Sequence, residues 1–155
     1  MPGDYFAAGI IHRVSGGFDE LLLVDTTPLD ERKNWIQSKF PGGTNEGHLE
    51  DLNVYFTLAR EMLEETGLVV PNLQEITLIH SESPSDSHFK NFYWIEFEKC
   101  KGGLRSTAST GTRSRVSSPY WKRVDHIPRI LHTSHQQALM KVMARLEYQQ
   151  QRVAS

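Results

Sequence analysis

The stretch FPGGTNEGHLEDLNVYFTLAREMLEETGL, from Phe40 to Leu68, joins a Pro-Gly-Gly turn to an amphipathic helix. Glu61, Glu64 and Glu65 lie at i, i+3 and i+4 near the end of this helix, so their carboxylates project from one face within a single turn. Three acids at that spacing repel one another strongly unless a positive charge lies among them. A hard divalent cation with oxygen ligands suits such a cluster, and the stretch therefore predicts a metal site.

The run REMLEETGL, from Arg60 to Leu68, resembles the second half of the Nudix box, G-x5-E-x7-R-E-U-x-E-E-x-G-U, in which U is a bulky aliphatic residue. Gly43 matches the glycine that opens the box, so the resemblance covers residues 43–68. Gly43 precedes Arg60 by 17 positions, about three more than in the family pattern. We interpret the difference as an insertion in the loop and first helical turn, because the second half of the box is intact.

The insertion leaves the first glutamate of the box without a direct counterpart. Counting forward from the glycine places this glutamate at Leu49, and counting back from the arginine places it at Leu52. Glu46 and Glu50 are the nearest glutamates. The residue that replaces the first box glutamate is therefore open.

The resemblance implies both a fold and an activity. The family fold is an α/β/α sandwich, so we expect a mixed sheet with flanking helices, and the family cleaves a nucleoside diphosphate linked to another group. The resemblance implies that Glu61, Glu64 and Glu65 bind Mg²⁺ or Mn²⁺, together with a carbonyl of the turn at Gly43. It makes Arg60 the residue that orients one of those carboxylates. We expect Glu61 or Glu64 to be the general base, and a further acid from Glu82, Asp86 or Glu96 is left open.

The chemistry of the expected reaction agrees with such a site. A pyrophosphate is a polyanion, so the attacking water needs the phosphate charge neutralised and its own proton removed. A divalent ion held by helix carboxylates can bridge phosphate oxygens and lower the pKa of a bound water. A carboxylate that stays partly free can then accept the proton.

A basic segment lies far from the box in sequence. Residues 101–118 are rich in Gly, Ser, Thr and Arg, and Lys101 to Tyr120 contains no Asp or Glu. We expect an exposed, mobile loop. One interpretation is a lid whose arginines, Arg105, Arg113 and Arg115, bind substrate phosphates. The other interpretation is a solvated loop without a role in binding.

The substrate is only weakly indicated. Pro84 lies 16 residues past Leu68, a spacing that resembles the ADP-ribose pyrophosphatase subgroup. A nucleoside triphosphate is equally compatible with the sequence. The alternative from another class is an inactive Nudix-fold module, in which the altered first half of the box reflects lost catalysis and the basic segment binds RNA or a protein.

Length and composition limit the classes of protein to which the chain could belong. The chain has 155 residues, which favours a single domain over residues 1–155. The formal net charge of −2 and the pI near 6.4 argue against a protein that coats nucleic acid by bulk charge. Cys100 is the lone cysteine, so we expect no disulfide, no thiolate metal site and a small buried thiol. The chain shows no signal peptide and no membrane span, which predicts a cytoplasmic protein acting on small nucleotides. A homodimer is compatible with the sequence.

Periodicity predicts the other elements. The predicted strands are Tyr5–Val14, Glu20–Asp25, Trp35–Phe40, Leu73–His80, Asn91–Glu98 and Pro119–Val124. Predicted loops cover 26–33 and 81–87, and a closing helix covers 132–152 with Leu139, Val142, Met143 and Leu146 on one side. For the helix of the box, we expect Glu50 or Asp51 as the N-cap and Gly67 as the left-handed residue at its end. The helical wheel predicts that an apolar side is buried and a polar side is exposed. The apolar side carries Leu52, Tyr55, Phe56, Leu58, Ala59, Met62 and Leu63, and the polar side carries Asn53, Thr57, Arg60, Glu61, Glu64 and Glu65.

Overall fold

The computed structural model describes residues 4–45, 53–85, 88–111, 114–127 and 131–154. The helices within these ranges are α1 (Val54–Thr66) and α2 (Thr133–Ala154). The strands are β1 (Asp4–Ser15), β2 (Phe18–Pro28), β3 (Gln37–Lys39), β4 (Gly42–Thr44), β5 (Leu68–Val69), β6 (Thr77–Ser85), β7 (His88–Glu96), β8 (Lys101–Gly102), β9 (Ser109–Thr110), β10 (Ser114–Val116) and β11 (Tyr120–Arg123).

Strand β1 runs between two hydrophobic cores. It pairs in parallel with β7 and antiparallel with β2, which makes the sheet mixed. Alternate residues of β1 point to opposite faces: Ala8 and Ile10 pack in the core with α2, whereas Ala7 and Ile11 pack in the core with α1. The structure confirms the predicted α/β/α sandwich with a mixed sheet.

The Pro-Gly-Gly turn is built into this sheet. Strand β4 pairs antiparallel with Phe6–Ala8 of β1, on residues that also pair with β7. The backbone of Gly9 donates a hydrogen bond to the Pro41 carbonyl at 2.9 Å. The turn is therefore fixed against the central strand, next to the helix that β1 supports.

Two loop predictions are wrong in part, because strand pairing extends past the predicted ends. Strand β2 continues to Pro28, where Thr26–Pro28 pair with β10. Strand β6 continues to Ser85 with two irregularities in its pairing with β7, which accommodate the proline-containing segment in an outer strand. The predicted strand at Leu73 begins instead as a 3₁₀ turn over Leu73–Glu75. Asp86 and Ser87 of the predicted loop lie outside the described residues.

The basic segment 101–118 is more structured than the sequence predicts. Strand β8 pairs with β5, directly after α1, and β10 pairs with both β2 and β9. Pairing with distant strands cannot be seen in the Gly- and Ser-rich composition, which by itself favours a loop. The mobility of this segment stays a prediction. The single-domain organisation of residues 1–155 also stays a prediction.

The buried faces of both helices differ from the predicted ones. On α1, Phe56 and Leu63 are about half exposed, whereas Thr57, Glu61 and Glu65 are buried. The helix packs its Leu58 and Met62 stripe on the sheet, and this stripe carries the polar residues beside it into the interior. On α2, Leu139, Val142 and Leu146 are buried as predicted, but Met143 is 45% exposed.

Candidate active site

Helix α1 brings the acids to the turn and ends immediately after them. It begins at Val54 with Asn53 as its N-cap, whose side chain accepts hydrogen bonds from the Tyr55 and Phe56 amides. The prediction of Glu50 or Asp51 as the cap is wrong, since the helix begins later, and both residues lie outside the described residues. Gly67 has φ 85° and ends the helix in the left-handed region, as predicted.

The two glycines of the turn, Gly42 and Gly43, lie close to different neighbours. A Cβ on Gly42 would lie 2.4 Å from the Ala7 carbonyl oxygen of β1, and a Cβ on Gly43 would lie 2.4 Å from Glu61 Oε1. No side chain fits at either position without displacing its neighbour. Glycine is therefore required for the close approach of the turn to the sheet on one side and to the Glu61 carboxylate on the other.

Glu65 binds the same turn one residue earlier. The Gly42 amide donates to Glu65 Oε2 at 3.1 Å, and Lys39 Nζ donates to Glu65 Oε1 at 3.1 Å. Lys39 Nζ also donates to the Gly42 carbonyl at 2.8 Å. These three hydrogen bonds form a closed ring that links β3, the turn and α1.

Arg60 holds the other two acids. Its Nη1 donates to Glu61 Oε1 at 2.9 Å and to Glu64 Oε2 at 3.2 Å, and its Nη2 donates to the Thr44 carbonyl at 2.9 Å. One guanidinium thus connects two carboxylates to β4. This geometry is what the orienting role expected for Arg60 requires, although the role itself stays a prediction.

The positive charge of Arg60 does not fully offset the effects that raise the pKa of Glu61. Burial and the negative charge of Glu65 raise the pKa of the Glu61 carboxyl to about 7, and the neighbouring Arg60 only partly offsets them. Glu64 contributes a smaller effect in the same direction and has a side chain that is 54% exposed. The buried acids therefore hold more negative charge than Arg60 compensates.

The donor set fits a hard divalent cation, but not as a cluster of all three acids. Among the described residues, no group of three His, Cys, Asp or Glu side chains is arranged to hold a metal ion. Glu61 and Glu65 are the buried pair, and each touches one glycine of the turn. Their carboxylates and the glycine carbonyls are oxygen donors of the kind that Mg²⁺ and Mn²⁺ prefer. Glu64 points outward, so the ligand roles predicted for it, for Glu61, Glu65 and Gly43 stay predictions.

Two of the three predicted substrate arginines, Arg105 and Arg115, lie among the described residues. The Arg105 amide donates to the Thr66 carbonyl at 2.8 Å, and its Nη2 donates to the Ser117 carbonyl at 3.1 Å. Arg105 therefore fastens the basic segment to the end of α1. Arg115 lies on β10 and is exposed, and Arg113 lies outside the described residues. Within the described chain, neither Arg105 nor Arg115 forms an ion pair with the three glutamates, and their substrate role stays a prediction.

Sequence reasoning missed Lys39 and the hydrogen-bonding role of Gly42. Lys39 is a cation four residues before Gly43, at the point where a strand reaches the turn. Its position just before the Pro-Gly-Gly turn is the only signal in the sequence, and a lysine on a short strand is ordinarily a solvated residue. Cys100 is only partly buried, so the prediction of a buried thiol holds in part. Burial raises the pKa of this thiol to about 11, which argues against a role as nucleophile.

Comparison with known proteins agrees with this geometry. The sequence model of the NUDIX domain matches residues 6–144, which is most of the chain. The chain belongs to the Nudix family. No curated protein sequence matches this Nudix chain significantly.

Solved structures share the Nudix fold at low sequence identity. A MutT NUDIX hydrolase from Burkholderia pseudomallei is 20% identical with a TM-score of 0.63, over 92% of this chain and 98% of that one. The Escherichia coli ORF135 protein is 19% identical with a TM-score of 0.60, over 93% and 91%. The NUDIX domain of Shewanella oneidensis NrtR, solved with ADP ribose, is 18% identical with a TM-score of 0.59, over 92% and 87%. No helix in the described part of this chain is both long and apolar enough to cross a membrane.

Proposed function

We propose that this Nudix protein is a hydrolase that cleaves a pyrophosphate bond in a nucleoside diphosphate linked to another group, with Mg²⁺ or Mn²⁺ as cofactor. One observation carries the proposal. Two consecutive glycines of a turn each contact one of two buried carboxylates, Glu61 and Glu65, that lie one helical turn apart. A protein gains little stability from burying two coupled acids in this way, whereas a divalent cation would use both.

The residues divide into holding and proton-accepting roles. Glu61, Glu65 and a carbonyl of the glycine turn would hold the ion, which supplies charge neutralisation for the phosphates and acidifies the attacking water. Arg60 keeps the Glu61 carboxylate in place through its bond to Thr44. We assign proton acceptance to Glu64, because its side chain is more than half exposed and its carboxylate contacts the same guanidinium that orients Glu61.

The substrate class is a nucleotide that carries a second group beyond its pyrophosphate. ADP-ribose is the first candidate, since the NrtR domain was solved with it and the fold is shared. A nucleoside triphosphate is the second candidate, because it offers the same kind of phosphate anhydride bond to the site.

The test is a screen of nucleoside diphosphate derivatives and nucleoside triphosphates with Mg²⁺ or Mn²⁺, and with a chelator instead of metal. We expect metal-dependent release of a nucleoside monophosphate. Glu61→Gln, which removes a site carboxylate, and Glu75→Gln, which removes an exposed one outside the site, are the matched pair. Product release that survives Glu61→Gln would assign the activity to a contaminant. Binding of RNA or a protein without any turnover would support the inactive module instead.

A further inference from the structure

The ammonium of Lys39 lies on oxygens that a metal ion would need. Lys39 Nζ donates to the Gly42 carbonyl at 2.8 Å and to Glu65 Oε1 at 3.1 Å. The Lys39 side chain is 17% exposed and that of Glu65 is 10% exposed, so both charges are largely removed from water. A backbone carbonyl and a carboxylate that converge on one point form a binding site for a cation, and the lysine supplies that cation.

The ring of hydrogen bonds gives the buried Glu65 carboxylate its partners within the protein. The Gly42 amide satisfies Glu65 Oε2, and Lys39 neutralises the charge of the same carboxylate. Arg60 pairs with Glu61 and Glu64 and offsets part of their negative charge. The site therefore contains two cationic side chains. Arg60 also donates a hydrogen bond to the Thr44 carbonyl of β4. Lys39 instead donates to the Gly42 carbonyl and the Glu65 carboxylate, which are both candidate metal ligands.

We propose that Lys39 is an intrinsic counter-ion that competes with the divalent metal ion for the Gly42 carbonyl and the Glu65 carboxylate. The inference rests on the metal site of the proposed function. Metal binding then requires the ammonium to leave these oxygens, and the flexible four-carbon side chain allows this movement without a backbone change. The consequence is a weaker metal site than the same oxygens would form without the lysine.

The first test measures Mn²⁺ binding without substrate, by electron paramagnetic resonance of free Mn²⁺ at fixed ionic strength. Lys39→Gln and Lys39→Met remove the competing charge, and Lys33→Gln removes an equal charge from an exposed lysine. We expect both Lys39 variants to bind Mn²⁺ at least about tenfold more tightly than the unchanged protein, because a like charge has left the site. Lys33→Gln should change the affinity less than about twofold. Unchanged or weaker Mn²⁺ binding in Lys39→Gln would overturn the proposal that Lys39 competes with the metal.

The second test uses the unaltered chain, so it does not depend on the folding of a variant. An amine-acylating reagent is applied with and without Mn²⁺, and mass spectrometry measures modification of Lys39. Displacement by the metal predicts faster modification of Lys39 at saturating Mn²⁺, with no change at the exposed Lys33. Equal or slower modification of Lys39 would contradict displacement.

Glu61→Gln separates failure of this inference from failure of the metal site. If Mn²⁺ binds the unaltered chain, binding is lost in Glu61→Gln, and Lys39→Gln has no effect, only the counter-ion is overturned. If Mn²⁺ binds neither the unaltered chain nor the Lys39 variants, the metal site and the counter-ion fall together.

Discussion

Helices α1 and α2 hold the same turn from opposite faces of the sheet, and they do so with different chemistry. On α1, the Glu65 carboxylate accepts a hydrogen bond from the Gly42 amide at 3.1 Å. On α2, His135 Nδ1 accepts one from the Phe40 amide at 3.0 Å. Both side chains are buried. The turn is thus fixed by a charged acceptor on one side and a neutral one on the other.

The difference between the two helices follows from charge. Burial and the nearby positive charge of Lys39 hold the pKa of His135 well below its usual value, so the imidazole is neutral and needs no counter-charge. Three aromatic rings, those of Phe6, Phe40 and Phe92, surround it. Glu65 lies instead against Lys39. The acceptor on the α1 side is therefore a carboxylate with a cation against it, whereas the acceptor on the α2 side is a neutral ring.

The largest expected effect is on the α1 side, at Gly43. Gly43→Ala adds a Cβ that would lie 2.4 Å from Glu61 Oε1, so the carboxylate must move. A displacement of about 1 Å in a catalytic group lowers turnover about 10²-fold, and we expect at least that loss in kcat for the pyrophosphate substrate. Gly103→Ala is the control, because a Cβ there meets nothing within 4 Å. Near-normal turnover in Gly43→Ala would show that Glu61 does not act at this turn.

The next effect concerns Arg60. A lysine cannot reproduce two nitrogens that donate to Glu61 and Thr44 in one plane. Charge-assisted hydrogen bonds contribute about 1.5–3 kcal/mol, so Arg60→Lys should lower kcat/KM about 10- to 100-fold with a small change in Tm. Steady-state kinetics and thermal unfolding are measured on the same preparation. A large fall in Tm with kcat intact would make Arg60 a structural anchor only.

On the α2 side we expect a loss of stability rather than of turnover. His135→Leu leaves the Phe40 amide buried without an acceptor, which costs about 1–3 kcal/mol of the free energy of unfolding. His135→Asn keeps an acceptor at a similar place, and both variants lose the ring packing. The difference between them in urea unfolding therefore measures the hydrogen bond. Equal stabilities of the two variants would mean that the bond contributes nothing.

The smallest effect is the pH dependence that His135 confers. Its pKa is lowered in the fold, so below the ordinary histidine pKa of about 6.5 the unfolded chain binds a proton that the folded chain does not. This contribution is fully present above about pH 6.5 and is lost as pH falls, by at most about 1.4 kcal/mol per pH unit.

Glu61 acts in the opposite sense, because its pKa is raised in the fold, so Glu61→Gln serves as the background for this measurement. Urea unfolding of Glu61→Gln at several pH values below 6.5 should then show a steeper dependence of stability on pH than the same measurement on Glu61→Gln with His135→Asn. The slope that remains belongs to other groups with a lowered pKa, such as His132 and Glu82. Equal slopes in the single and the double variant would assign the whole dependence to those other groups.

Much of the fold could be predicted because it depends on local pattern. The apolar residues of Tyr5–Val14 predict a strand, and β1 covers that range. Its place between two cores follows only from the structure. Gly67 ends α1 because a left-handed residue is needed there. The strands of the basic segment could not be predicted, since β8 and β10 exist only through partners that are distant in sequence.

The sequence by itself determined the presence of three acids on one helix after a glycine turn, because spacing and residue type carry that information. Its resemblance to the Nudix box implied the family and the sandwich fold. Only the tertiary structure decided which acids meet the turn. Packing of Leu58 and Met62 in one core with Ala7 and Ile11 sets the rotation of α1, which buries Glu61 and Glu65 and leaves Glu64 outside. The same packing brings Lys39 from another strand onto Glu65, a contact that no spacing along the chain encodes.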